Sequence, residues 1–143
     1  MDILGVMNIG YSALKAQTTR VNVISSNLAN METTRTPEGG PYQRKSVIFT
    51  SSSRGFAQEL ENSTRQQAEG VEVQRIVSQQ GAGKMVYDPG HPDANAEGYV
   101  EKPDISLVEE MTDLMKAKGS YEANVTSIKA AQRMAIKALE IGR

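Results

Sequence analysis

The densest group of side chains able to do chemistry is Tyr87-Asp88-Pro89-Gly90-His91-Pro92-Asp93-Ala94-Asn95-Ala96-Glu97-Gly98-Tyr99. Asp88, His91, Asp93 and Glu97 are all metal-ligand types. Their spacing argues against that use. A calcium loop takes oxygen ligands from alternate positions and needs glycine at the sixth; counted from Asp88, the sixth residue is Asp93. His91 is the only histidine and there is no cysteine, so a zinc site of paired His or Cys ligands cannot be built. A chain of turns fits better. Pro89, Gly90, Pro92 and Gly98 set tight backbone geometry, and Asp and Asn side chains bond nearby amides. Asp88, Pro89, His91, Pro92, Asp93, Gly98 and Tyr99 are therefore read as a turn motif, with no metal and no cofactor expected.

Other catalytic arrangements fail on residue type. A Cys-His dyad is impossible. A Ser-His-Asp triad would have to use His91, and no Gly-x-Ser-x-Gly turn exists. Gly81-Ala82-Gly83-Lys84 lacks the spacing and the following Ser/Thr of a phosphate loop. The expectation is a protein that is not an enzyme. The charge balance, 16 Lys+Arg against 17 Asp+Glu, offers no cationic cluster for nucleic acid. No apolar run approaches the roughly 20 residues that span a bilayer. The N-terminus lacks the basic stretch, apolar core and small-residue cleavage site of a secretory leader, so any export is expected to proceed without a cleaved signal peptide.

The elements that must position these residues fall into three zones: 1–30, 31–103 and 104–143. In the first, Ile3, Met7, Gly10, Leu14, Gln17, Val21, Ile24 and Leu28 recur at alternating spacings of four and three, the seam of a coiled-coil-like helix. Asn30 is expected to end this helix, since Asn tolerates the left-handed cap conformation. In the last, the same alternation runs through Leu107, Met111, Leu114, Lys118, Tyr121, Val125, Ile128, Gln132, Ala135 and Leu139. Ser106-Leu107-Val108-Glu109 reads as a capping box, and acidic residues crowd the first turns. The middle zone is rich in Pro and Gly, and it holds β-favouring runs at 45–49, 70–77, 85–87 and 98–100. Val71, Val73 and Arg75 alternate with polar residues, so they are expected to share one face of a strand. Residues 50–69 read as a polar loop.

The fold class expected is therefore elongated α+β. Long N- and C-terminal α-helices (1–30 and 104–143) pair into a helical core, and a small β-rich middle domain lies between them. Hydrophobics make up only 38% of the chain, so the core is thin and burial against partners is expected. Between Ile3 and Met31 the only charges are Lys15 and Arg20. Ser, Thr, Asn and Ala fill the rest of that helix's surface, and neighbours can approach such a surface closely. Its intrinsic helix propensity is poor, so it forms mainly when packed.

Seven segments carry a family resemblance. Ala13-Leu14-Lys15-Ala16-Gln17 followed by Ser26-Asn27-Leu28-Ala29-Asn30-Met31-Glu32-Thr33 resembles the N-terminal signature of the flagellar basal-body rod family. Tyr42-Gln43-Arg44-Lys45, the segment Val86 to Ala94, Gly98-Tyr99-Val100, Val108-Glu109-Glu110-Met111 and Tyr121-Glu122-Ala123-Asn124-Val125 are similar to its proximal-rod members. Asp104, Glu32 and the length of 50–69 depart from the usual pattern. The resemblance implies a structural subunit that polymerises through its terminal helices, transmits torque and lines an export channel. It implies export by the flagellar type III apparatus to the periplasmic basal body, with FlgB, FlgF and FliE as neighbours. A sibling rod subunit and a soluble coiled-coil export adaptor are the alternatives. The residues expected to carry helix packing and assembly are Met7, Leu14, Gln17, Val21, Ile24, Asn27, Leu28, Asn30, Leu107, Met111, Leu114, Tyr121, Asn124, Val125, Ile128 and Leu139.

Overall fold

The computed structural model describes residues 3–52, 69–79, 81 and 83–141. Among the described residues two long helices bracket four short strands: α1 (Ile3–Ala29), β1 (Lys45–Ser51), β2 (Val71–Ser78), β3 (Lys84–Tyr87), β4 (Tyr99–Lys102) and α2 (Leu107–Ile141). With 35 residues, α2 is roughly 50 Å long at about 1.5 Å per residue. The molecule is an elongated α+β fold built along it. Most of the expected 50–69 loop, residues 53–68, lies outside the described residues.

α1 and α2 run antiparallel. One end of the contact is fixed where Gly10 meets Ile128, and the other where Asn27 bonds Glu110. The core between them is made of small side chains. Ala16, Ala117 and Ala131 are buried together with Val23 and Ile24. At Gly10 a Cβ would come within 2.6 Å of the Ile128 side chain, so only glycine permits this approach. Close packing of backbones on Gly and Ala compensates for the low content of large apolar residues, through many short dispersion contacts.

This close approach changes the expected seam of α2. Leu114, Ile128 and Ala135 do face inward, half-buried. The alternate positions are one residue earlier than the apolar spacing suggested: Glu110, Ala117, Asn124 and Ala131 turn toward the core, while Met111, Lys118 and Gln132 turn outward. The physical reason is that a narrow inter-helix gap selects the smallest side chains, and hydrophobic periodicity weights the largest.

The end of α1 is also made differently from expectation. Among the described residues no non-glycine residue has positive φ, so Asn30 does not use the left-handed cap. Its side-chain Nδ2 instead donates to the Ser26 carbonyl at 2.8 Å, and its own carbonyl accepts from Thr33 N–H at 3.0 Å. Thr33 Oγ1 also donates to Asn30 Oδ1. The orphan carbonyls of the last turn are thus satisfied locally, as a helix terminus requires. α2 begins with Ser106, whose Oγ accepts from Glu109 N–H.

β1 and β2 pair antiparallel and lie on α1. Ile48 stands opposite Arg75 and Phe49 opposite Val73, so Gln74 is the extra residue of a β-bulge. The bulge corrects the expected face. It puts Ile76, rather than Arg75, on the side of Val71 and Val73. Ile76 and Ser78 then line a groove of about 470 Å³ with Thr19, Asn22, Val23, Ser26 and Lys45. Ser12 ties the far end of the sheet to α1: its Oγ accepts from Val71 N–H at 3.0 Å and donates to the Ile9 carbonyl. β3 and β4 form a separate antiparallel hairpin. Among the described residues it has no close backbone approach to either helix or to the β1–β2 sheet. It is held instead by side chains of the segment after α1, through the Lys102–Glu32 ion pair at 2.5 Å and Thr34 Oγ1 donating to Asp93 Oδ2 at 2.8 Å.

Candidate functional site: a helical hairpin with a buried polar junction

The largest fully buried side chains of this protein include two polar ones, Glu110 and Asn27, each only 1% exposed. Burying a carboxylate and a carboxamide is costly unless each polar atom finds a partner. Here each does. Asn27 Nδ2 donates to Glu110 Oε2 at 3.0 Å and to the Lys45 carbonyl at 2.8 Å. Asn27 Oδ1 accepts from Lys45 N–H at 2.9 Å and from the Tyr42 hydroxyl at 3.2 Å. Asn27 therefore bonds the backbone where β1 begins from both sides, as a neighbouring strand would. Arg44 Nε donates to Glu110 Oε1 at 2.6 Å, a charge-assisted bond. One residue pair thus joins α1 to α2, and the next two residues of chain join both to the sheet.

Charge continues outward from this junction. Asp113 lies one turn along α2 from Glu110, with Arg44 at 3.9 Å, Arg20 at 4.0 Å and Lys116 at 3.6 Å. These outer pairs are partly exposed and contribute little each. The Arg20 guanidinium also sits 6.0 Å from the Phe49 ring centroid, against β1. The geometry offers attachment between three elements.

The residues singled out for assembly fall into two groups. Met7, Leu14, Gln17, Val21, Ile24, Asn27, Leu28, Asn30, Leu114, Asn124, Val125 and Ile128 are buried or half-buried within the chain. Leu107, Met111, Tyr121 and Leu139 are exposed, Leu139 to 76%. Val108, Met115, Met134 and Ile136 add to this exposed apolar surface. Gln17 Oε1 is shielded from solvent and has no hydrogen-bond partner among the described residues.

The turn motif is brought together as one loop between β3 and β4. Gly90 N–H bonds Asp88 Oδ1, Asp93 N–H bonds His91 Nδ1 at 3.1 Å, and Glu97 and Tyr99 N–H both bond Asn95 Oδ1. Gly98 has φ of +83°, and a Cβ there would meet the Tyr87 ring at 3.0 Å. Tyr87 and Tyr99 close the loop edge to face, with centroids 5.3 Å apart. Asp88, His91 and Asp93 spend polar atoms on this framework.

Glu110 and Arg44 stand in the segments that resemble the family, but nothing in the sequence singles them out as a buried pair. For Glu110 the available signal is the row Glu110, Ala117, Asn124, Ala131 at heptad spacing, small and polar residues that a search for large apolar ones passes over.

Comparison with known proteins places these features in a family. Residues 7–35 match the model described as flagella basal body rod protein, and residues 96–141 match that described as flagellar basal body rod FlgEFG protein C-terminal. The matched stretches contain most of α1 and all of α2. The chain is 45% identical to the flagellar basal-body rod protein FlgC of Bacillus subtilis, over 96% of each chain. It is 37% identical to FlgC of Salmonella typhimurium over the whole of both chains, and 39% identical to FlgC of Borreliella burgdorferi over 99% of this chain and 98% of that one.

Proposed function

The chain belongs to the FlgC family of flagellar basal-body rod proteins and is a structural subunit of the rod, and from that premise we propose that it polymerises through α1 and α2 in the proximal rod. Its role is mechanical rather than catalytic: torque passes through many helix–helix contacts. Neighbouring copies and the rod proteins FlgB, FlgF and FliE are the partners. Delivery is by the flagellar type III apparatus without a cleaved signal peptide, and the site of assembly is the periplasmic part of the basal body. In this scheme the terminal helices line the export channel and residues 31–103 form the outer, β-rich region.

One observation carries the reading. α1 and α2 satisfy each other along one side only, and each leaves a surface suited to another helix. On α1 that surface, running through Asn8, Tyr11, Thr18, Asn22 and Ser25, carries a single charge, Lys15, and Thr18 Oγ1 already donates to the carbonyl of Leu14. Such a face loses few bonds to water when a neighbour covers it. On α2 it is two exposed apolar patches, Leu107, Met111 and Met115 toward one end and Ile136 and Leu139 toward the other, with Lys118, Glu122 and Lys129 between them. Exposed apolar area of this extent marks an interaction surface.

The test is complementation. A strain lacking its own copy of this subunit is supplied with the wild-type chain or with Met111→Glu/Met115→Glu, and basal bodies are isolated. The wild type enters the rod and restores swimming. The charged variant accumulates in the cell and stays out of the rod. Incorporation of the variant at the wild-type level would refute assembly through this face.

A further inference from the structure

The seam between α1 and α2 has a property that packing alone leaves open. It is lined by Gly10, Ala16, Ala117 and Ala131, and small residues fit against one another in more than one alignment. Sliding α2 by one heptad puts Ala131 where Asn124 was and Ala138 where Ala131 was. Hydrophobic contact discriminates weakly between such registers. The junction of Asn27, Arg44 and Glu110 discriminates strongly. Its two bonds to Glu110, from Asn27 Nδ2 and Arg44 Nε, cross to α2 and form in one alignment only, while the three bonds of Asn27 to Lys45 and Tyr42 hold the start of β1 on α1 and supply the fixed frame against which α2 is aligned. In any other, Glu110 is either stripped of Arg44 and Asn27 while buried, or drawn out of the seam.

We infer that the Asn27–Glu110–Arg44 junction is a register lock, which selects one alignment of the terminal helices and fixes where β1 leaves them. It acts by making the alternatives unfavourable, rather than by adding net stability. Arg44 and Lys45 are adjacent in the chain, so locking the helices and placing the sheet are one event. A single polar residue at a seam position is known to specify alignment in paired helices in this way. Beyond it, Arg20 and Asp113 pair across the helices at 4.0 Å, both partly exposed. Asn124 is the other polar residue of its heptad row, and it is only half-buried.

The test uses the full-length chain with nitroxide labels at Lys15 and Lys137, both exposed and away from the junction. A slide of one heptad moves one label past the other by about 10 Å along the helix axis. The wild type is expected to give one narrow distance. The double variant Arg44→Met/Glu110→Leu removes the bonds that cross to α2 without stranding a charge, and Asn27 keeps its bonds to Lys45 and Tyr42. It is expected to unfold cooperatively at an unchanged or higher urea concentration, yet to show two or more distances. A single narrow distance in the double variant would overturn the inference, because the seam would then set its own register. Loss of cooperative unfolding would also overturn it, because the junction would then hold the fold together. Glu110→Gln gives an independent reading. It keeps size and polarity but loses one of the two acceptor oxygens, so a second distance component is expected, and an unchanged single distance contradicts the lock.

Discussion

Asn27 in α1 and Glu110 in α2 are 83 residues apart in sequence and bonded at 3.0 Å, each almost wholly removed from solvent. Around this pair the chain satisfies every polar atom it buries there. The pairing converts two helices that could pack loosely into one defined hairpin, and the sheet is attached at the same point.

Breaking the junction from its three corners should not cost the same. Arg44→Ala leaves the Glu110 carboxylate buried with Asn27 alone, and about 3–5 kcal/mol is expected. Asn27→Ala leaves Lys45 N–H without its acceptor but keeps the ion pair, for about 2–3 kcal/mol. Glu110→Ala strands only Arg44, which is part-exposed and can turn to Asp113, so the loss should be the smallest. Urea unfolding of the three variants checks the order. Equal losses would mean that stranded charge is not the dominant effect.

Gly10→Val should drive the helices apart, because even a Cβ meets Ile128 at 2.6 Å. A loss of about 1–3 kcal/mol is expected. Ile128→Ala by itself also destabilises. Combined, the two changes should cost less than their sum, by about 1 kcal/mol or more. Additive losses in a double-mutant cycle would place Gly10 and Ile128 out of contact.

Leu28→Pro should abolish both the end of α1 and incorporation into the rod. Proline inside a helix removes a hydrogen bond and clashes with the preceding turn, at about 3 kcal/mol or more. It would also displace Asn27 and Asn30 from their partners. Swimming at the wild-type rate with this variant would contradict the scheme.

The β3–β4 hairpin should respond independently. Gly98→Ala forces a residue with a side chain into positive φ against Tyr87, a local cost of about 1 kcal/mol or more. Amide exchange within 84–102 should accelerate, while exchange in α2 beyond its first turns stays unchanged. Equal acceleration in both would show the hairpin to be part of one cooperative unit with the helices.

The sequence located the four strands and two helices of the described residues because each had its own periodicity and punctuation. The terminal position of Asn30 was legible too, although the bonds it makes were not. What was hidden depended on pairs of elements. The α2 seam shifted toward Ala117 and Ala131 because Gly10 lets α1 come close, a fact written in α1 rather than in α2. The bulge at Gln74 exchanges Ile76 for Arg75, and it follows from pairing with β1 rather than from the alternation of β2. Glu110 resembles any first-turn acid until Asn27 and Arg44 are brought to it.

The helices were expected to differ, α2 well capped and α1 weak alone. The junction refines where α1's order should begin. In the free chain, amide protection should be greatest near residues 23–28, where Val23, Ile24 and Asn27 are buried, and should decline toward Leu4 and Tyr11, which are exposed. Uniform protection along α1 would mean that the helix holds itself without the lock.

The most direct test is a cryo-EM map of the assembled rod fine enough to trace side chains. The expected result keeps the Gly10–Ile128 and Asn27–Glu110 contacts within each subunit and covers Leu107, Met111, Met115 and Leu139 with helices of neighbouring subunits. A map in which those four side chains face solvent, or in which α1 leaves its own α2 to pair elsewhere, would contradict the account.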